Sequence, residues 1–261
     1  MILFFPGTCK QIFILTKDYK EYIIIVSMML EKCMTDKKIA VSDEMNKRLI
    51  EREKEIKKNH SKLYYPFFKR MADICCSVAA LIVMVILLPF VVLAIKIDSR
   101  GPVFFSQPRV GQYGQIIKIY KFRTMCVNAE SLIDKNVFKN KDNPFLQHEN
   151  DSRVTKVGAF LRKFSIDELP QLFCVLKGDM SFIGPRPFII EETRVLNDDQ
   201  LMRLAIKPGL TGLAQISGRN DLNLQQRIDK DLEYAESMSA PLDIKILWKT
   251  IVSVLKGDGA S

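Results

Sequence analysis

The sequence predicts an α+β protein that is attached to a membrane through one apolar segment. Three patterns indicate this fold class. An uncharged run of 22 residues extends from Ile74 to Ile95, two short β-branched stretches lie between residues 103 and 122, and apolar residues recur at helical spacing from residue 157 onward. We therefore divide the chain into an N-terminal extension (1–62), a membrane segment (63–99) and a mostly helical domain (100–261).

The N-terminal extension has a mixed character. Its first 30 residues contain short apolar stretches interrupted by charges, none of them long enough to span a bilayer. A later methionine is an alternative start of the protein, in which case these residues are not part of its structure. Otherwise the extension is expected to be partly disordered or to form a surface helix. Further on, Ser42 followed by Asp43 and Glu44 is typical of a helix N-terminus. We predict a solvated or membrane-surface helix there.

The apolar run reaches about 33 Å as a straight helix, which is enough to cross a hydrocarbon core of about 30 Å. Basic residues stand on both sides of it, so the charges select no orientation. Pro89 lies inside the run and lacks a backbone N–H. Two interpretations remain open on these grounds: a kinked span, or a helix-break-helix that enters one leaflet and returns.

The charge balance narrows the classes of partner. The chain carries a formal net charge of +9 and has a pI of about 9.2, which is typical of proteins that meet nucleic acid, an anionic membrane surface or a phosphorylated substrate. The membrane segment favours the last two. The six cysteines have neither metal-ligand spacing nor a disulfide framework, which favours a reducing compartment.

The first elements after the membrane segment are predicted to form a β-hairpin. Val103–Ser106 and Ile116–Phe122 are β-branched and aromatic, and Gly111 and Gly114 between them indicate a turn. Helices follow from residue 157. The last one, within 241–256, has lysines on one face and apolar residues with Trp248 on the other. It is predicted either to lie in the membrane interface or to pack on the domain.

The segment SIDELPQL concentrates the charged chemistry. Ser165 and Glu168 have the spacing of a capping box, and Asp167 is predicted opposite an apolar stripe. Acidic residues at a helix start are often only structural. Here, however, Arg162 precedes them and Arg186 follows in the rigid turn Gly-Pro-Arg-Pro. Adjacent carboxylates among cations suit a metal-bound diphosphate, with one carboxylate on Mg²⁺ and the other attacking phosphorus.

Three stretches carry a resemblance to a known family. They are KFRTM (121–125), the run from Arg153 to Pro187, and KPGLTGLAQISGR (207–219). Together they resemble bacterial sugar transferases, and more closely the small monotopic phosphoglycosyl transferases. The resemblance extends over Tyr65 to Gly257. It implies transfer of a sugar 1-phosphate from a UDP-sugar to polyprenyl (undecaprenyl) phosphate, which releases UMP through a covalent aspartyl intermediate.

The resemblance also assigns roles to residues. It implies that Asp167 is the nucleophile and that Glu168 binds Mg²⁺. Five basic residues match the family's substrate-binding positions: Lys121, Arg123, Arg162, Arg186 and Arg219.

The family's membrane helix is re-entrant, with both ends in the cytoplasm. It breaks at a Ser-Pro pair, for which this chain has Leu88-Pro89. The implied place is therefore the cytoplasmic face of a bacterial inner membrane, in contact with lipids and without nucleic acid. A homo-oligomer is left open. A catalytically silent membrane scaffold and a membrane-tethered nucleic-acid binder are the alternatives, and the transferred sugar is not readable from the sequence.

Overall fold

The computed structural model describes residues 40–59, 67–129, 151–218 and 222–257. Its first helix, α1 (Asp43–Asn59), begins as predicted, because the Ser42 hydroxyl accepts a hydrogen bond of 3.2 Å from the backbone N–H of Met45. The prediction of a solvated or membrane-surface helix was incomplete. Met45, Leu49 and Ile56 form a stripe along one face and are buried in the domain core.

The second helix, α2 (Lys69–Asp98), is 30 residues long and contains the apolar run. Among the described residues it is the one helix that is long and apolar enough to cross a membrane. Only 22% of its most apolar window is buried, whereas the core helix of a soluble protein is mostly buried. The helix continues through Pro89 without interruption, so the predicted break at Pro89 is not confirmed.

The predicted β-hairpin is confirmed. Strand β1 (Phe104–Val110) pairs antiparallel with β2 (Ile116–Phe122), and the register places Phe104 opposite Phe122. The connection includes Gly114, whose φ of +74° lies in the left-handed region that favours glycine. A side chain at this position would also collide with Val41, since an added Cβ would lie 2.4 Å from it. The hairpin thus holds the residues preceding α1.

Two helices follow the hairpin in the described part of the chain. Helix α3 (Lys156–Lys163) is capped by Thr155, whose hydroxyl accepts a 3.0 Å hydrogen bond from the N–H of Gly158. A Cβ on Gly158 would lie 2.0 Å from the carbonyl oxygen of Thr124, so this helix lies directly on the chain that leaves β2. Helix α4 (Leu172–Lys177) ends at Gly178, which has a φ of +92°.

A second, parallel sheet connects the remaining elements. Strand β3 (Ser181–Ile183) pairs with β4 (Gly209–Thr211). Helices α5 (Ile190–Arg194) and α6 (Asp198–Leu201) and a 3-10 turn (Met202–Ala205) lie between the two strands in the sequence. After β4 come α7 (Leu213–Ile216), α8 (Leu224–Ser237) and α9 (Ala240–Lys256). The hydrophobic core gathers side chains from α1, β1, β3, the 3-10 turn, α8 and α9.

Helix α9 packs on the domain, which is one of the two arrangements that the sequence left open. Ile246 is fully buried and fixes one face of the helix on the domain. Ile244, Trp248, Ile251 and Leu255 recur at helical spacing and are 44–76% exposed. The helix therefore packs on the domain and still presents an apolar stripe outward.

The first turn of α2 is bonded into the soluble domain. Lys69 forms a salt bridge of 2.7 Å with Asp243 at the start of α9. Arg70 donates to two backbone carbonyls at the C-terminal end of α4, at 2.6 and 2.7 Å. The Asp73 carboxylate accepts from the hydroxyl of Ser181 and from the next backbone N–H. This end of the apolar helix is thus a structural part of the domain.

Candidate active site

The Asp-Glu pair lies on a sharp turn after α3. Ser165 adopts the left-handed conformation with a φ of +52°, and a 3-10 helix (Ile166–Gln171) follows it. The predicted capping box is wrong, because the Ser165 side chain makes no cap in this conformation and the N–H of Glu168 donates to the Ser165 carbonyl instead, at 3.2 Å. The turn leaves Asp167 only 6% exposed. A non-glycine residue in this conformation costs on the order of 1 kcal/mol, which the surrounding structure must offset.

Two cations converge on Glu168. The ammonium of Lys121, from β2, lies 2.6 Å from its Oε1 atom. The guanidinium of Arg186, from the Pro-Arg-Pro turn, lies 3.2 Å from the same oxygen. Burial alone would raise the pKa of Glu168, but Lys121 and Arg186 outweigh it and hold this pKa below its ordinary value. Glu168 is therefore ionised throughout the physiological range.

Asp167 has the opposite electrostatic character. Burial raises its pKa to about 6, and the negative charge of Glu168 acts in the same direction. Lys121 and Arg162 lower the pKa of Asp167, but they do not compensate for the loss of solvation. Among the described residues no hydrogen bond reaches the Asp167 carboxylate. The group is thus an anion above pH 6 and is less stabilised than an ordinary aspartate, which suits a nucleophile.

The other predicted binding residues lie in different places. The Arg162 Nε donates to the Thr124 hydroxyl at 2.9 Å, and its charge acts on Asp167. Arg123 is buried at the C-terminal end of α2, where it donates to the carbonyls of Ser99 and Arg100 at 2.7 and 3.0 Å. The structure therefore does not bring Arg123 to the carboxylates, and its substrate-binding role stays a prediction. Arg219 lies outside the described residues.

The glycines of the Lys207–Arg219 motif permit a close approach of two backbone segments. An added Cβ on Gly209 would lie 2.1 Å from the backbone nitrogen of Gly184, and one on Gly212 would lie 2.2 Å from the Gly184 carbonyl oxygen. The N–H of Gly209 donates to the Pro185 carbonyl at 2.8 Å. This N–H is therefore not available to an oxyanion, and these glycines set the position of the Pro-Arg-Pro turn.

A narrow cleft beside Glu168 contains two residues that the sequence analysis missed. They are Arg109, from β1, and Gln171, from the 3-10 helix. Burial lowers the pKa of Arg109 to about 10, and the like charge of Arg186 adds to this effect. The position of Arg109 in the predicted hairpin could have indicated it. Arg109 pairs across the two strands with Ile117, which is buried. Burying a charged side chain costs free energy unless it is paired, so a cation at a buried strand position indicates a specific role.

A larger cavity of about 410 Å³ lies elsewhere, between the start of α1 and the helices α5 and α6. None of the charged residues around Glu168 lines it. Its size alone does not make it the reactive site, because the converging charges line the narrow cleft and the aspartate with the raised pKa directly precedes Glu168 in the sequence.

The carboxylates do not by themselves form a complete metal site. The described residues contain no group of three or more His, Cys, Asp or Glu side chains that could hold a metal ion. Mg²⁺, however, is commonly bound by one or two carboxylates together with substrate phosphates and water. Within the described residues, both side-chain hydrogen bonds to Glu168 reach Oε1, which leaves Oε2 for a further ligand. The donor set therefore fits a metal that arrives with a phosphorylated substrate.

Comparison with known proteins identifies the family. The family model described as "Bacterial sugar transferase" matches residues 64–257, which is most of the chain. The chain belongs to the bacterial sugar transferase family. The matched range includes α2, both carboxylates, the cations around Glu168 and α9, and the predicted resemblance is thereby confirmed.

Several relatives have informative names. The chain is 41% identical over 213 residues to an undecaprenyl-phosphate galactose phosphotransferase of Salmonella typhimurium, covering 78% of this chain and 44% of the relative. It is 43% identical over 192 residues to a UDP-glucose:undecaprenyl-phosphate glucose-1-phosphate transferase of Klebsiella pneumoniae, covering 70% and 39%.

The chain spans less than half the length of those two relatives. It is also 37% identical over 197 residues to the exopolysaccharide production protein ExoY of Rhizobium meliloti, and there the match covers 74% of this chain and 87% of the relative.

Proposed function

We propose that the protein transfers a sugar 1-phosphate from a UDP-sugar to undecaprenyl phosphate and releases UMP, as the first membrane step in the assembly of a surface polysaccharide or glycan. The observation that carries the proposal is the buried Asp167 beside an ionised Glu168 that two cations hold in place. The names of the relatives support the donor and the lipid acceptor.

The chemistry follows from the two carboxylates. Above pH 6 an oxygen of Asp167 attacks the sugar-linked phosphorus, so an oxygen–phosphorus bond forms and the bond to the UMP oxygen breaks, with its electron pair leaving on UMP. An oxygen of undecaprenyl phosphate then attacks the same phosphorus and restores the Asp167 carboxylate. The product is an undecaprenyl diphosphosugar, and charge and atoms balance over the two steps.

The surrounding cations lower the electrostatic barrier. A carboxylate that approaches a diphosphate is repelled by about 4 kcal/mol per close pair of unit charges at an effective dielectric constant of 20. Arg162, Lys121 and Arg186 oppose this repulsion, since the first acts on Asp167 and the other two flank Glu168. They also stabilise the charge that develops on the leaving UMP.

We further propose Mg²⁺ as the cofactor, which Glu168 would hold together with a phosphorylated substrate. Bound there, it would neutralise phosphate charge as a Lewis acid. The protein's own contribution is to keep Glu168 ionised at the pH at which Asp167 has lost its proton, and the opposite pKa shifts of the two carboxylates provide that condition.

The proposed location is the cytoplasmic face of the bacterial inner membrane, with α2 held in one leaflet. Its first turn is bonded to Asp243, and its last turn is bonded to the same domain, because the Asp98 carboxylate accepts from the N–H of Val157 at 2.9 Å. A helix that spans a bilayer has its ends on opposite sides, so two ends bonded to one soluble domain support a position of α2 on one side of the membrane. The exposed apolar stripe of α9 supports contact of the same domain with the interface.

The test is UMP release by detergent-solubilised protein from a panel of UDP-sugars, with Mg²⁺ and undecaprenyl phosphate. We expect UMP release from one or two sugars, and we expect Asp167→Asn to lose it. In the native protein a chelator should abolish the release and added Mg²⁺ should restore it. Activity that persists in Asp167→Asn would exclude this residue as the nucleophile. A folded native protein that is silent across the panel would favour a scaffold function instead.

A further inference from the structure

The turn that carries Arg186 is held through its backbone carbonyls. The four successive carbonyl oxygens from Pro185 to Phe188 each accept one hydrogen bond, at distances of 2.8, 2.6, 3.4 and 2.9 Å. The donors are, in the same order, the Gly209 N–H, the Arg203 guanidinium, the Arg109 guanidinium and the Val110 N–H. Two of these donors are side chains, and the stronger of them is Arg203.

Arg203 and Asp231 form a fully buried ion pair behind the turn. Arg203 is 1% exposed and Asp231 is 2% exposed. The Nε and NH2 atoms of Arg203 donate to one oxygen of Asp231 at 2.9 and 2.6 Å, and NH2 also donates to the Arg186 carbonyl at 2.6 Å. The guanidinium lies 3.7 Å from the centre of the Phe188 ring. Its Nε and NH2 atoms and the Phe188 ring contact thus connect this side chain to both Asp231 and the turn.

We propose that Arg203 and Asp231 are positioning residues for Arg186: they fix the backbone of the Pro-Arg-Pro turn so that the Arg186 guanidinium reaches Glu168. This inference rests on the proposed function. Arg203 is too deeply buried to contact a substrate, so it acts only through the turn. The chain of contacts is Asp231 to Arg203, Arg203 to the Arg186 carbonyl, and Arg186 to Glu168 at 3.2 Å.

Stability alone does not explain a pair of this kind. Replacing a buried ion pair by apolar side chains of similar size is often neutral or stabilising, because desolvation offsets the attraction. In addition, the Oδ1 atom of Asp231 is buried without a hydrogen-bond partner in the described part of the chain. What the pair provides is geometry: a planar guanidinium can bind a carboxylate and a carbonyl at once in one fixed arrangement.

The test is a double-mutant cycle with kcat/KM for UMP release as the readout, normalised to the folded protein. A displacement of about 1 Å in a binding group can cost about 100-fold in rate, so we expect Arg203→Met to lower kcat/KM by about 10- to 100-fold. In an Arg186→Ala background, the same substitution should change it by less than about 2-fold, because the group it positions is gone.

Two further variants separate positioning from folding. Arg203→Lys keeps the buried charge paired with Asp231 but lacks the planar guanidinium, so it replaces Arg203→Met if that variant does not fold. We expect a smaller loss of kcat/KM than for Arg203→Met, and no loss in the Arg186→Ala background. Ile228→Ala is the matched control, because Ile228 is fully buried on the same helix, one turn before Asp231. It should lower the melting temperature and leave kcat/KM per folded molecule unchanged.

The outcomes distinguish the positioning role of Arg203 and Asp231 from the proposed transferase function. If the losses from Arg203 and Arg186 variants multiply, or if Ile228→Ala lowers kcat/KM as much as Arg203→Met, the positioning role is overturned while the transferase activity stands. If the native protein releases no UMP from any donor, the proposed function falls, and the positioning role falls with it.

Discussion

Replacing Asp167 by asparagine is expected to stabilise the protein while it abolishes the reaction. Burial raises the pKa of Asp167 from an ordinary 3.8 to about 6. One pKa unit corresponds to about 1.4 kcal/mol, so at pH 8 the ionised carboxylate destabilises the folded state by about 3 kcal/mol. Asparagine has nearly the same shape and no charge. At pH 8 Asp167→Asn should therefore unfold at a temperature about 6–12 °C higher than the native protein.

The stability difference between Asp167→Asn and the native protein should grow as the pH rises. Because the folded-state pKa is raised, the native protein gains stability from protonated Asp167 below pH 3.8 and loses that stability as the pH rises through 6. The stabilisation by Asp167→Asn should thus shrink to about half at pH 5 and to about a fifth at pH 4. Thermal unfolding in detergent measures it. Asp199→Asn, at an exposed position on α6, is the control. A melting-temperature difference that does not grow with pH would refute the reasoning.

Three other substitutions or labels test further parts of the structure. Lys121 lowers the pKa of Asp167, so Lys121→Met should move the acidic limb of the pH profile of kcat/KM above pH 6; an unmoved limb would contradict the assignment. Gly158→Ala places a Cβ 2.0 Å from a backbone carbonyl and should lower the free energy of unfolding, measured with denaturant, by about 1–3 kcal/mol. Its control, Ala159→Ser on the exposed side of α3, should lower it by less than about 0.5 kcal/mol. Trp248 is the chain's one tryptophan and is 66% exposed. In proteoliposomes, lipids brominated near the headgroup should quench its fluorescence more than lipids brominated near the end of the acyl chain. Equal, weak quenching by both lipids would exclude interfacial contact.

Elements with strong periodicity were predictable from the sequence. The hairpin, the Ser42 helix start and the apolar helix all follow from local patterns, and the structure contains them. The turn at Ser165 was not predictable in this way. Its spacing matches a capping box, but Ser165 adopts a left-handed conformation and a 3-10 helix containing Pro170 follows it. Tertiary contacts decided that conformation.

Part of the candidate site was predictable as a set of residues, but Arg123 lies away from the carboxylates, Arg109 and Gln171 were missed, and the internal geometry was not predictable. Asp167, Glu168, Lys121, Arg162 and Arg186 were expected together. The sequence could not show that two cations share one oxygen of Glu168, nor that burial would raise the pKa of Asp167. Both facts depend on long-range packing between the hairpin, the 3-10 helix and the Pro-Arg-Pro turn, which no local pattern encodes.

The bonds between the first turn of α2 and the domain bear on attempts to make a water-soluble form by truncation. A protein shortened to begin near residue 100 would lose Lys69 and leave Asp243, a buried carboxylate, without its cation. It would also remove Asp73, the acceptor for the hydroxyl of Ser181 at the start of β3. Uncovering buried charge in this manner typically costs 3–5 kcal/mol, a large share of the stability of an ordinary domain, which is about 5–15 kcal/mol. Removing the apolar segment would thus strongly destabilise the domain. A water-soluble form is better sought by replacing the exposed side chains of that helix, such as Phe90 and Ile97, with polar ones.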